Sequence, residues 1–192
     1  MPPKVRVTRE EIVDAALSLL KQSGEEAINA RRVAAALGCS TQPVFSNFAT
    51  MEELRREVIL AAYRSYCGFL EREVASGRYP PYKAYGMAYI RFALEERELF
   101  KLLFMRDRTG EDLAPTPDFE EAVCMIVAAN GVSPETARLM HLEMWVAVHG
   151  IGAMLATSFL PLEWDSISEM LTDIYQGIRA RHLKGEESNG SH

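Results

Sequence analysis

The run from Asn29 to Phe48, NARRVAAALGCSTQPVFSNF, constrains this chain more than any other, because it spells two short helices separated by a tight turn. Asn29 is placed to cap the first helix, Val33, Ala34 and Leu37 share one apolar face, and Gly38 falls where a helix stops in a left-handed residue. Ser40 is placed to cap the second helix. This is the smallest device that reads double-stranded DNA: the first helix braces on the backbone, and the second enters a major groove about 12 Å wide.

The flanks extend the pattern. Thr8-Arg9-Glu10-Glu11 is a capping box, followed by Ile12, Ala15, Ala16, Leu19 and Leu20 at helical spacing up to Gly24. A second box, Thr50-Met51-Glu52-Glu53, opens a long periodic segment in which Leu54, Val58, Ala61, Ala62 and Tyr66 line one stripe. Residues 8 to about 63 therefore read as a three-helix head with a connecting helix.

The run from Thr8 to Leu54, and above all GCSTQPVFSNF followed by TMEEL, resembles the DNA-binding head of the tetracycline-repressor (TetR) family. That family's pattern is Gly-Val-Ser-x-Gly-x-Leu-Tyr-x-His-Phe and then Lys-Glu-x-Leu, and Gly38, Ser40, Val44, Phe48, Glu52 and Leu54 agree with it. Members commonly place the Tyr, His and Lys of the pattern on phosphates. Here Phe45, Asn47 and Met51 stand instead, which implies weaker DNA binding unless other cations compensate. The candidates are Arg31 and Arg32 at the start of the bracing helix, Arg9 opening the first helix, and Lys4 and Arg6 on an N-terminal arm. Each is otherwise a solvated charge.

In the second helix Thr41 and Gln42 stand near the N-terminal end, which normally points at base edges. A Gln pairs bidentately with adenine, while a Thr offers a methyl to thymine and a hydroxyl to phosphate or base. Pro43 is tolerated in a first helical turn and stiffens it. Ser46 and Asn47 are candidate phosphate contacts, and Phe45 either covers the sugar-phosphate edge or folds inward. Charge fits a chain that presents one end to DNA: residues 1–60 carry eight basic and eight acidic side chains, leaving 13 basic against 19 acidic, the whole net charge of −6, on the rest.

Beyond the head, breaks divide the chain into helices without strand-like alternation. Pro80-Pro81 ends the connector, and helices are expected over 82–96, 97–105, 118–130, from Pro134 toward Phe159, and over 164–181. Residues 107–117 read as a loop. The predicted fold is all-α with about nine helices: a head over 1–50, a helical effector-binding and dimerisation domain over 51–183 whose residues 51–78 form the connector, and a disordered polar tail over 184–192.

The last two helices are apolar over broad arcs. Leu139, Leu142, Val148, Ile151 and Leu155 on one, and Ile167, Leu171, Ile174 and Ile178 on the other, suit half of a four-helix bundle across a two-fold axis; core packing within one chain is the alternative. A dimer places two heads about 34–36 Å apart, the repeat of a palindromic operator. The run WVAVHG, Trp145 to Gly150, with RELFKLLFM at 97–105, resembles a TetR subgroup carrying a Trp-His-Gly signature. In that family this domain holds an inducer pocket, so the resemblance implies a small apolar or amphipathic effector. Phe100, Phe104, Met125, Met144, Trp145 and His149 are its candidate walls. Gly150 and Gly152 inside a helix call for close packing or pocket space, since each costs about 1 kcal/mol relative to Ala.

No metal or cofactor is expected. His141, Glu143 and His149 lack zincin spacing, and Cys39, Cys67 and Cys124 are scattered and odd in number, which points to a reducing cytoplasm. No nucleophile-base set or phosphate loop marks an enzyme, and no signal segment or window of about 18 apolar residues marks a membrane protein. The expected function is a ligand-responsive homodimeric repressor that leaves a palindromic operator when it binds its effector. The alternative is a TetR-fold sensor or protein-binding module with weak or lost DNA binding.

Overall fold

Caps set the head helices. The structure, a computed structural model, describes residues 7–107, 109 and 117–189. Helix α1 (Arg9–Ser23) opens on Thr8, whose hydroxyl accepts from the Glu11 amide at 3.2 Å while the Glu11 carboxylate accepts from the Thr8 amide at 2.8 Å. A single 3-10 turn (Glu25–Ala27) follows. Helix α2 (Ala30–Ala36) is capped by Asn29, which accepts from the Arg32 amide at 3.0 Å, and Gly38 at φ +63° turns the chain out of it. Helix α3 (Gln42–Asn47) departs from expectation: its cap is Thr41, with no side-chain cap bond, and Ser40 lies outside it. Pro43 in the first turn presets the backbone and has no amide to satisfy, which lowers the need for a cap.

Helix α4 (Met51–Ala75) begins with the expected box, Thr50 accepting from the Glu53 amide at 3.1 Å. The Glu53 carboxylate reaches one residue further back than expected, to the Ala49 amide at 2.8 Å. Then come α5 (Pro81–Glu95), α6 (Arg97–Phe104), α7 (Pro117–Asn130), α8 (Pro134–Ala156) and α9 (Trp164–Asn189), so the described residues hold nine α-helices and no strand. Helix α9 continues past Arg181 through residues expected to be tail, because no proline interrupts it; residues 190–192 lie outside the described residues. So does most of the expected 107–117 loop.

Packing divides the chain into two units, residues 7–67 with Glu96–Arg106, and Gly68–Glu95 with the residues from Asp107 onward. The division expected at residue 50 falls inside the first unit, which also takes in α6. In that unit α1 buries Ile12, Ala16 and Leu20, and α6 buries Leu99, Phe100 and Leu102. A Cβ on Gly24 would meet the Glu98 carboxylate at 3.1 Å, and Lys21 pairs with Glu96 at 2.7 Å, so α1 and α6 sit close together.

In the second unit α8 packs against α5, α7 and α9. Gly86 lets α5 approach, since a Cβ there would meet both Leu171 and Val148 at 3.3 Å. Helix α8 also corrects the membrane reading, because by length and hydropathy it is able to span a bilayer. Its three neighbours and its Arg138 and Glu143 identify it as the core helix of this unit.

Gly38→Ala is expected to lower stability by about 1 kcal/mol through backbone strain alone, since nothing lies within 4 Å of a Cβ there. A urea titration would show a lower midpoint at unchanged slope, and an unchanged midpoint would mean that the turn relaxes.

Candidate nucleic-acid interface and effector domain

Helix α3 is anchored by Val44 and Phe48, both almost fully buried, and so presents the remaining positions outward. Gln42, Phe45 and Ser46 are exposed, Phe45 by 55%, while Thr41 and Pro43 are half-buried. Phe45 therefore takes the outward of its two expected orientations. The Ser46 hydroxyl donates to the Gln42 carbonyl at 2.8 Å, a helical back-bond that leaves its oxygen on the surface. Arg31 and Arg32 are exposed on the first turn of α2, and Lys4 and Arg6 lie outside the described residues.

Two expected DNA contacts bond to other groups of the head while staying partly exposed. Arg9 donates from Nη1 to the Asn47 carbonyl at 2.7 Å, and its Nη2 pairs with Glu53 at 2.9 Å and Glu57 at 3.1 Å, with the guanidinium 4.1 Å above the Phe48 ring. Its hydrogen bonds to Glu53 and Glu57 raise its pKa further. The Glu53 carboxyl is held below its ordinary value, first by the Ala49 amide and then by Arg9. The Asn47 amide donates to the Pro43 carbonyl at 2.8 Å and the Val7 carbonyl at 3.4 Å, so it ties α3 to the segment before α1. A basic residue in the first turn of a helix reads as a surface charge until its acidic partners, more than forty positions away, are placed beside it.

The expected effector walls are divided between the two units. Phe100 and Phe104 belong to the first unit, 5.3 Å apart, with Phe104 edge-on to Tyr66. In the second unit Met144 points into the core and Met125 is half-buried on α7, while Trp145 is 41% exposed and stacks on His149 at 5.3 Å.

Sequence reasoning missed the polar rungs beneath them. The Tyr82 hydroxyl meets His141 Nδ1 at 3.0 Å, and the Tyr89 hydroxyl meets His149 Nδ1 at 2.9 Å. The rungs rise together along α5 and α8, so the two helices run parallel. Burial pushes both tyrosines up and both histidines down, His141 to about 4. Each pair is thus a neutral phenol hydrogen-bonded to a neutral imidazole, with the donor set by the histidine tautomer. Glu143, read beside these histidines, pairs instead with Arg181 and His182. A second missed feature is Glu73, a buried carboxylate pairing with Arg91 at 3.0 Å, whose guanidinium lies 4.2 Å over Trp164.

The expected dimer face is corrected as well. Val148, Ile151, Leu155, Ile167 and Leu171 are buried within the second unit, and Ile174 and Ile178 are half-buried, Ile178 packing on the Val123–Ile126–Met140 cluster. The outward side of α8 carries Leu139, Leu142 and Val146, exposed by 53%, 48% and 61%, with Gly150 and Ala153 continuing the stripe. Nothing lies within 4 Å of a Cβ on Gly150, so packing inside the second unit does not account for that glycine.

Heads built this way occur in helix-turn-helix regulators of transcription, the class that this fold resembles. A family model described as tetracyclin repressor-like, C-terminal domain, matches residues 82–175. That span contains Trp145 to Gly150 without singling it out. An uncharacterised HTH-type transcriptional regulator of Mycobacterium tuberculosis is 24% identical over 187 residues, covering 94% of this chain and 85% of that protein. Among solved structures, SCO4313, a regulatory protein by designation alone, is 25% identical with a TM-score of 0.64 over 86% of this chain and 94% of that one. The multidrug binding protein EbrR, solved with imidazole, shares the fold at 18% identity and a TM-score of 0.60 over 86% of this chain and 93% of that one. Over most of its length the chain is thus similar to an HTH-type transcriptional regulator, and its residues 82–175 to the tetracyclin repressor-like C-terminal domain.

Because the folded His141 titrates below the ordinary imidazole value of about 6.5, the unfolded chain takes up its proton first. Stability is therefore full above pH 6.5 and falls as pH drops from about 6.5 to about 4, by at most roughly 3 kcal/mol from this residue. Urea midpoints across that window should decline in the native protein and decline less in His141→Phe. A flat native profile would show that His141 keeps its ordinary pKa in the fold.

Proposed function

We propose that the protein is a homodimeric repressor that binds a palindromic operator and is released by a small apolar or amphipathic effector. The observation that carries the reading is the outward stripe of α8, Leu139, Leu142, Val146, Gly150 and Ala153. A glycine in mid-helix costs about 1 kcal/mol relative to Ala. With open space around it, Gly150 makes sense if a second helix backbone approaches there. A second copy of the same stripe supplies that helix and buries three exposed apolar side chains. Two copies present two α3 helices, in which Gln42 reads a base edge, Thr41 and Ser46 meet base or phosphate, and Phe45 covers the sugar-phosphate edge. Arg31 and Arg32 supply phosphate charge, as do Lys4 and Arg6 if the arm reaches the duplex.

Effector binding releases the operator by favouring a dimer whose heads no longer match the half-site spacing, which requires tighter binding to that state. Support for an apolar effector comes from the ligand-binding family fold and from the fold neighbour EbrR, by name a multidrug binding protein. The protein would act in the cytoplasm. A second reading, a sensor with weak DNA binding, draws on the bonds of Arg9 and Asn47 within the head, which leave it few phosphate donors.

Selection of a random double-stranded library on the purified protein at two salt concentrations separates these readings, an enriched palindrome supporting the repressor and no enrichment at low salt favouring the sensor. With the selected duplex, Gln42→Ala is expected to weaken binding by about 1–3 kcal/mol and to relax preference at one base pair. Val146→Glu should convert the dimer to a folded monomer in sedimentation, and a dimer that survives it would move the interface elsewhere.

A further inference from the structure

The Arg9 fork lies where the recognition helix ends, and its partners say what it does. Helix α3 has six residues, too few to hold its shape or direction by its own hydrogen bonds. Arg9 donates to the carbonyl of Asn47, the last residue of that helix, where the intrahelical bonds run out. The same guanidinium grips Glu53 and Glu57 on the opening turns of α4 and lies over the ring of Phe48, which follows the last residue of α3. Glu53 also holds the Ala49 amide with its other oxygen. One planar side chain thus fixes the end of α3, the 48–50 connection and the start of α4 against the start of α1. Asn47 supplements it by holding the Val7 carbonyl.

We infer that Arg9 is a positioning residue for base readout: it sets the direction of α3 through Asn47, Phe48, Glu53 and Glu57, and it is not a phosphate contact. The role rests on the DNA-binding reading proposed above. With both terminal nitrogens engaged in the fold, turning the guanidinium to a phosphate would leave two carboxylates unpaired next to a polyanion. A lysine keeps the charge but cannot reproduce a fork that serves a carbonyl, two carboxylates and a ring face at once.

Binding of the native protein, Arg9→Ala, Arg9→Lys and Arg31→Ala to the selected operator and to a scrambled duplex, each across a salt series, tests this directly. Positioning predicts at least a tenfold loss of operator affinity in both Arg9 variants, with scrambled-duplex affinity and the salt slope unchanged, so that the specificity ratio collapses. A phosphate contact predicts instead that both affinities fall together and the salt slope drops by about one, the behaviour expected of Arg31→Ala. That pattern at Arg9, or an unchanged specificity ratio, would overturn the inference.

Should the Arg9 variants fail to fold, the double variant Glu53→Gln, Glu57→Gln takes the partners away and leaves the arginine. A reduced operator-to-scrambled ratio is then the expected result, and a preserved ratio overturns the role. Hydrogen exchange without DNA supplies a second readout. The Phe48 amide, bonded to the Val44 carbonyl at 2.9 Å, should exchange at least tenfold faster in Arg9→Lys while the Val33 amide in α2 keeps its rate. Equal acceleration at both amides would mark a merely structural residue. Native protein that binds no duplex would overturn the repressor reading and this role together, whereas native binding with an unaltered Arg9→Lys overturns this role alone.

Discussion

Helix α8 is apolar on two opposite sides, and one chain supplies neighbours for only one of them. Met140, Met144, Val148, Ile151 and Leu155 face α5, α7 and α9 and form the spine of the second unit. The approach of α5 is close enough that Gly86 has no room for a side chain without movement of Leu171 or Val148. Polar groups inside this packing are used in pairs. Tyr82 with His141 and Tyr89 with His149 each join a donor to an acceptor, and neutrality is the condition for that at such depth. The other side of α8 is left to solvent in a single chain, and that imbalance is what a second chain would relieve.

The head obeys a different constraint. Its helices are short, α3 having six residues and α2 seven, so hydrophobic burial has little area to work with and direction must come from end groups. Thr8, Asn29 and Thr50 satisfy amides at the helix starts, Gly38 satisfies the turn, and Arg9 satisfies a carbonyl at the end of α3. Loss of a cap of this kind costs a helix about 1 kcal/mol, which is large beside what a six-residue helix gains by itself.

The parts legible in the sequence are those governed by local rules. The Thr8 and Asn29 caps, the Gly38 turn and the start of α8 at Pro134 fall where the sequence places them, because each depends on residues within four positions of itself, whereas the connector ends at Ala75, short of Pro80-Pro81, with Gly77 at φ +63° just beyond it. What the sequence does not show depends on partners far along the chain. Arg9 is separated from Glu57 by 48 residues, and Asn47 from Val7 by 40, so nothing near either residue shows that its donors are taken. The α8 surface was misread for another reason. When most positions of a helix are apolar, periodicity no longer says which stripe is core, and Val146 looks no different from Val148 until the neighbours are in place.

The two constraints bear on each other if the protein acts on DNA as proposed. The head is electrically neutral in sequence, and in its fold Arg9 and Asn47 bond to carboxylates and backbone carbonyls of the head itself. Affinity for DNA rises with the number of phosphates neutralised, so a single head of this composition is a weak binder. Joining two such heads makes the second contact intramolecular and multiplies affinity without any new charge. A head whose donors are committed to holding α3 in place gains shape at the expense of attraction, and the unsatisfied side of α8 offers the means of recovering that attraction by pairing. On this account dimerisation is a condition for operator binding in this chain, since the weaker each head is alone, the more completely a change in the spacing of two heads abolishes binding.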